Sequence, residues 1–111
     1  MKSTEKIRKD LDFRRVYGNR NSIANRYLIL YVKENNLLVN RVGFTVSKKV
    51  GKATVRNLVK RRMREGFRNK EKRFKLGYDL VFVARNTAQD ATGKEIESAI
   101  VHLMKKKNLT V

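Results

Sequence analysis

A chain of 111 residues closes one modest hydrophobic core rather than two, so residues 1–111 read as a single domain. Its 28 Lys and Arg against 10 Asp and Glu leave a formal charge of +18, a self-repulsion that a polyanionic partner relieves; nucleic acid is the commonest such partner, because each neutralised phosphate releases a counterion. The absence of Cys excludes disulfides and thiolate metal sites, the lone His leaves no second one for a metal or an acid–base pair, and the absence of Trp argues against an interfacial membrane helix.

The longest apolar run, Tyr27 to Val32, is strand-sized and far from the ~18 residues of a spanning helix. No apolar segment follows the charged N-terminus, so a signal peptide is not expected and the chain reads as cytoplasmic, without membrane contact.

In chain order, DLDFRRVYGN at residues 10–19 sets Phe13, Val16 and Tyr17 on one helical face. Asp10 or Asp12 can cap it and Gly18 can end it, which predicts a short first helix. RYLILYVK, from Arg26, is rich in residues that favour strands; Tyr27, Ile29 and Tyr31 alternate with Leu28, Leu30 and Val32, so both faces are expected to be covered. RVGFTVSK puts Val42, Phe44 and Val46 on one side, and the short connection from Asn35 predicts that these two strands pair antiparallel.

A long basic helix follows, then a strand, YDLVFVAR, from Tyr78 to Arg85. Thr92 and Glu95 form a capping box ahead of the stripe Ile96, Ala99, Ile100, Leu103 and Met104, with Lys105, Lys106 and Lys107 at the carbonyl end of the helix dipole. The predicted architecture is an α+β sandwich: one central, mostly antiparallel sheet with three helices in the order α-β-β-α-β-α.

The basic helix is the informative element. KKVGKATVRNLVKRRMREGFR, Lys48 to Arg68, holds nine Lys or Arg and one acid, Glu65. At about 100° per residue, Val55, Leu58, Val59, Met63 and Gly66 cluster on one arc, while Asn57, Lys60, Arg61, Arg64 and Arg68 fall on the opposite arc with Arg56 at the shoulder. Arg62 alone lies inside the apolar sector, where its stem can follow the core while its head reaches water. Solvated helices normally interleave Glu with Lys at i, i+4. This one barely does, so phosphates are the expected neighbours of the stripe.

Other constellations are weaker. VGKAT has Val46 and Ala53 where a P-loop needs Gly and Ser or Thr, which rules that motif out. His102 flanks the apolar stripe of the last helix and reads as structural; Glu95 and Glu97 project from different sides of it, and Asp10 and Asp12 look like helix-start residues. No catalytic residue and no metal site is expected in the protein itself. Phe13, Tyr17, Tyr27 and Tyr31 are core packing by default, or stacking platforms for unpaired bases.

These stretches together resemble the protein subunit of bacterial ribonuclease P along nearly the whole chain: DFRRVY with ANRYLILYV, RVGFTVSKKVGKATVRNLVKRRMRE, and YDLVFVAR. The middle block resembles the family's arginine–asparagine–arginine motif through Arg56, Asn57, Lys60, Arg61 and Arg64, with Lys49 just upstream; the third position of the triplet is Leu58. The resemblance implies a non-catalytic subunit of an endoribonuclease that removes the 5′ leader of precursor tRNA, with the active site and its Mg²⁺ ions in the catalytic RNA subunit.

It further implies that the motif helix contacts that RNA, and that a cleft between the first helix and the sheet, lined by Phe13, Tyr17, Ile29, Tyr31 and Thr45, holds the single-stranded leader. The partners are then the catalytic RNA and precursor tRNA, with a monomeric protein that binds no cofactor of its own. Pattern alone assigns the right-handed connection found in about 98% of strand–helix–strand units; the resemblance implies a left-handed one. A structural ribosomal protein and a general single-strand binder are the competing readings of the same charge and size.

Overall fold

The computed structural model describes residues 4–7, 16 and 21–111. Among them are five strands, β1 (Thr4–Lys6), β2 (Ser22–Ala24), β3 (Leu28–Glu34), β4 (Asn40–Thr45) and β5 (Tyr78–Ala84). Two α-helices, α1 (Ala53–Lys70) and α2 (Gly93–Lys106), complete the set together with short 3-10 turns at 48–50, 71–73 and 86–90. The strands form one sheet in the order β1-β4-β5-β3-β2. β1–β4 and β4–β5 are parallel; β5–β3 and β3–β2 are antiparallel.

The α+β class stands, but the expected arrangement does not. The sheet is mixed rather than mostly antiparallel, and it has five strands rather than three. Two helices rather than three are present among the described residues; the helix expected over residues 10–19 lies outside them apart from the buried Val16. The two strands expected to pair with each other, β3 and β4, are separated by β5.

The physical reason is that Leu80, Val81 and Phe82 in β5 are all fully buried, so this strand needs cover on both faces and neighbours on both edges, which only the central position supplies. The β3–β4 connection therefore arches over the start of β5. Asn35 N–H donates to the Gly77 carbonyl (2.9 Å), and Asn36 adopts φ 58° to turn the chain. Gly77, at φ 102°, lies so close beneath the arch that a Cβ there would stand 3.3 Å from the Leu37 carbonyl oxygen. Buried Asn40 fastens the far side, donating from Nδ2 to the Lys75 carbonyl (2.9 Å) and accepting from Tyr78 N–H (3.0 Å). β1 is a polar three-residue segment held by its pairing with β4, and β2, equally short, pairs with β3 and adds Ile23 to the edge of the core.

Both helices pack on one face of the sheet. Leu28, Leu30 and Val32 of β3 and Leu80, Phe82 and Ala84 of β5 meet Val59, Met63 and Phe67 of α1 and Ile96, Ile100, Leu103 and Met104 of α2. Phe82 stacks on Phe44 (5.9 Å between centroids) and meets Phe67 at 5.8 Å. Each fully buried large side chain contributes roughly 1.5–3 kcal/mol. The expected stripe of α2 is buried throughout, and its capping box forms: Thr92 Oγ1 accepts from Glu95 N–H (3.1 Å) while Glu95 Oε1 accepts from Thr92 N–H (2.9 Å). Glu95 also accepts from the Tyr27 hydroxyl (2.7 Å), and these hydrogen bonds, the Thr92 backbone first, hold its carboxyl below the usual range.

Gly66 lets α1 approach α2 closely, since a Cβ there would lie 3.1 Å from the Glu97 Cα, a backbone atom that cannot step aside alone. Gly66→Leu is expected to cost about 1–3 kcal/mol through overpacking, read as a lower urea midpoint. An unchanged midpoint would show that the two helices are not locked at this contact.

Candidate nucleic-acid interface

The site begins with α1. Its 18 residues span about 27 Å. Val59, Met63, Gly66 and Phe67 are buried against the sheet and α2, which turns the opposite arc outward. Asn57, Arg61, Arg64 and Arg68 are exposed, Arg56 and Lys60 are half-buried, and Lys49 is exposed on the 3-10 turn that leads into the helix. The six expected residues on α1 thus share the arc turned away from the core, with Lys49 exposed on the turn before it. Leu58 stands at their margin, 37% exposed. The only acid in the stretch, Glu65, makes a loose contact with Arg61 (3.8 Å) between two largely exposed side chains, worth little.

Arg62 corrects the expectation that its head reaches water. Its Nη1 donates to the buried Ala91 carbonyl (2.7 Å), tying α1 to the turn before α2. It is a structural arginine. His102 is likewise part of a clasp: Asn25 Nδ2 lies 3.2 Å from His102 Nδ1 and donates to the Ala99 carbonyl (3.0 Å), while Asn25 Oδ1 accepts from the Tyr27 and Leu28 N–H groups. Among the described residues, no group of three or more His, Asp or Glu side chains gathers as metal ligands would, and no helix is long and apolar enough to cross a membrane.

A second surface lies on the sheet face that α1 and α2 leave free. Register places Ile29, Val83 and Thr45 in one row across β3, β5 and β4, with Ala24 of β2 beside Ile29. Tyr31, Val81 and Gly43 form the next row. Ile29, Tyr31 and Thr45 are therefore neighbours on one floor, each half-buried. Phe13 and Tyr17, assigned to the same cleft, lie outside the described residues, although Val16 between them packs with Ile7 and Val81 over this floor. Val81 and Val83 are floor residues that the sequence reading missed. Their alternation in YDLVFVAR was visible, but nothing local says which strands β5 separates.

The next row is charged. Lys33, Asp79 and Arg41 stand in register across β3, β5 and β4. Asp79 is buried and accepts a forked pair of bonds from Arg41, Nε to Oδ1 (2.8 Å) and Nη2 to Oδ2 (2.6 Å), plus one from Asn35 Nδ2 (3.0 Å). Burial by itself pushes this carboxyl up, but the hydrogen bonds from Arg41 and Asn35, with the charges of Arg41 and Lys33, outweigh it and hold the carboxyl below its usual range. A depressed carboxyl contributes stability above its unfolded pKa and loses it as pH falls. The pair is therefore expected to stabilise the fold above about pH 4 and to fail below it.

Comparisons with known proteins agree on one family. The ribonuclease P family model matches residues 1–108. The ribonuclease P protein component of Alkaliphilus oremlandii is 57% identical over 109 residues, 98% of this chain and 96% of that one. Its counterpart from Clostridium botulinum (strain 657) is 53% identical over 102 residues, 91% of this chain and 92% of the other. Among solved structures, a Staphylococcus aureus RNase P protein mutant with defective mRNA degradation activity superposes with a TM-score of 0.86 at 35% identity, covering 94% of this chain and 88% of that one. The Thermotoga maritima RNase P protein gives 0.83 at 28% identity, covering 92% and 96%.

Asp79→Ala is expected to cost about 3 kcal/mol, because it strands the Arg41 guanidinium and the Asn35 amide. In urea melts the gap between variant and parent is expected to be widest near pH 7 and to narrow toward pH 3. A gap that does not change with pH would mean that the carboxylate charge contributes nothing.

Proposed function

The chain belongs to the bacterial ribonuclease P protein family, the protein component of the ribonucleoprotein that matures tRNA 5′ ends, and on that premise we propose a division of labour between its two surfaces. The basic stripe of α1, Arg56, Asn57, Lys60, Arg61, Arg64 and Arg68, with Lys49 ahead of it, lies against phosphates of the catalytic RNA subunit. The floor of Ile29, Tyr31 and Thr45, with Phe13 and Tyr17, receives the single-stranded 5′ leader of precursor tRNA. Hydrolysis of the phosphodiester bond and the Mg²⁺ ions it uses belong to the RNA. The protein acts in the cytoplasm as a monomer without a cofactor of its own.

The observation that carries this reading is the separation of the two surfaces. The cations stand on the helix layer and the half-buried aromatic and aliphatic floor on the opposite face of the sheet. A cationic layer lets two polyanions, catalytic RNA and precursor, approach each other. An apolar floor with a tyrosine suits unpaired bases, which stack without regard to sequence. Holding the leader then distinguishes precursor from mature product, because only the precursor has one.

Reconstitution with the RNA subunit tests both halves. Replacing Arg56, Lys60 and Arg64 together by Ala is expected to flatten the salt dependence of RNA-subunit binding by about 0.7–0.9 in log–log slope per lost contact; an unaltered slope would remove phosphates from that stripe. Tyr31→Ala is expected to weaken precursor binding to the assembled complex by about 1–3 kcal/mol while sparing mature tRNA. Equal losses on both would make Tyr31 a packing residue.

A further inference from the structure

Among the described residues, cations are also concentrated beyond the α1 stripe, where the helix layer ends. α1 and α2 run in the same direction: Arg62 meets Ala91, Gly66 meets Glu97, and past both helices Phe74 bridges to Thr110. Their carbonyl ends therefore lie together. Lys70 ends α1, Lys72, Arg73 and Lys75 follow it, and Lys105 and Lys106 close α2; all but the half-buried Lys70 are exposed. Lys107 is turned aside, donating to Asn21 Oδ1.

The plain explanation is that cations belong at helix C-termini, and magnitudes decide against it. Two helix ends carry about half a negative charge each. Six cations against the Glu71 side chain and the Val111 carboxylate leave four positive charges in excess, still several times what the two dipoles neutralise. Among the described residues none of the six makes an ion pair.

The cluster is also rigidly mounted. Lys75 N–H donates to the Leu109 carbonyl (2.6 Å) and Val111 N–H to the Arg73 carbonyl (2.7 Å), while Phe74 and Leu109 are buried beneath. Two segments about thirty-five residues apart are thus stapled into one platform, and the staples are backbone bonds that leave the side chains outside. The aromatic ring of the segment, Phe74, points inward, so the platform offers charge without a stacking surface. Such a surface fits the sugar–phosphate backbone of folded RNA rather than unpaired bases.

We propose that the shared C-terminal end of α1 and α2 is a second phosphate-binding surface, which takes the backbone of a folded segment of the RNA subunit other than the one facing the middle of α1. The proposal rests on the RNA-binding reading above and extends it: the protein clamps two RNA segments rather than lying on one.

Two experiments test it. Lys72→Ala, Lys75→Ala, Lys105→Ala and Lys106→Ala combined are expected to lower the log–log salt slope for RNA-subunit binding by roughly 3, with an unchanged melting temperature and unchanged affinity for a leader-length single-stranded RNA. The triple replacement on the α1 stripe is measured alongside. If the stripe variant flattens the slope and the quadruple variant does not, the second surface is wrong and the RNA reading stands; if neither does, both fall. The second experiment uses the absence of cysteine, which makes a single introduced thiol unique. A photo-crosslinker on Lys72→Cys is expected to mark nucleotides distinct from those marked from Arg61→Cys. Crosslinks to the same nucleotides from both positions would overturn the two-segment claim.

Discussion

Strand β5 carries apolar side chains on both of its faces, and such a strand is stable only between two neighbours with a covering layer above and below. Leu80 and Phe82 look toward the helices, Val81 and Val83 toward the opposite side. Placing β5 at the centre fixes where everything else goes. β3 and β4 become its flanks, α1 and α2 cover one face, and the rows Ile29–Val83–Thr45 and Tyr31–Val81–Gly43 come into line on the other. The candidate leader floor is thus a by-product of how the core is closed. The polar row at one end, with Asp79 held by Arg41 and Asn35, brings charge to the same floor without leaving a carboxylate unpaired.

The division between the faces explains how one small chain tolerates a charge of +18. The cations of α1 occupy an arc whose opposite side is anchored by Val59, Met63 and Phe67, so repulsion acts along a helix already clamped to the sheet. Arg62 adds to the clamp rather than to the stripe. Its guanidinium donates to the carbonyl of the buried Ala91. One arginine in the run therefore directs a donor into the fold, while Arg61, Arg64 and Arg68 stay exposed on the outer arc.

What was legible in the residues differs by element, for physical reasons. α2 was readable in full: Thr92 and Glu95 cap it, and its five-residue stripe is buried as the helical period requires. The sorted charge of α1 was readable for the same reason, since helical faces follow from spacing alone. Strand faces were readable too, and Ile29 with Tyr31 did fall on one side. Strand neighbours were not. Alternation says which way a side chain points and nothing about which strand lies beside it, so the short connection suggests a β3–β4 pair in a mostly antiparallel sheet where β5 in fact lies between them. β1 and β2, only three residues each, are too short to carry a periodic pattern. The destination of Arg62 depended on where the turn before α2 came to rest, which no local pattern encodes.

The arch over Gly77 has a consequence for how the molecule assembles. Strands consecutive along the chain usually meet as a hairpin, but here residues 78–84 lie between β3 and β4, with Leu30 opposite Phe82 and Val42 opposite Leu80. Sheet closure consequently waits on contacts between residues roughly forty to fifty positions apart, the kind of high contact order that slows folding. On the ribosome, a nascent chain that has emerged only as far as α1 would have its cationic helix but no sheet to hold it. For that interval the polypeptide has the electrostatics of an RNA ligand before it has a native core.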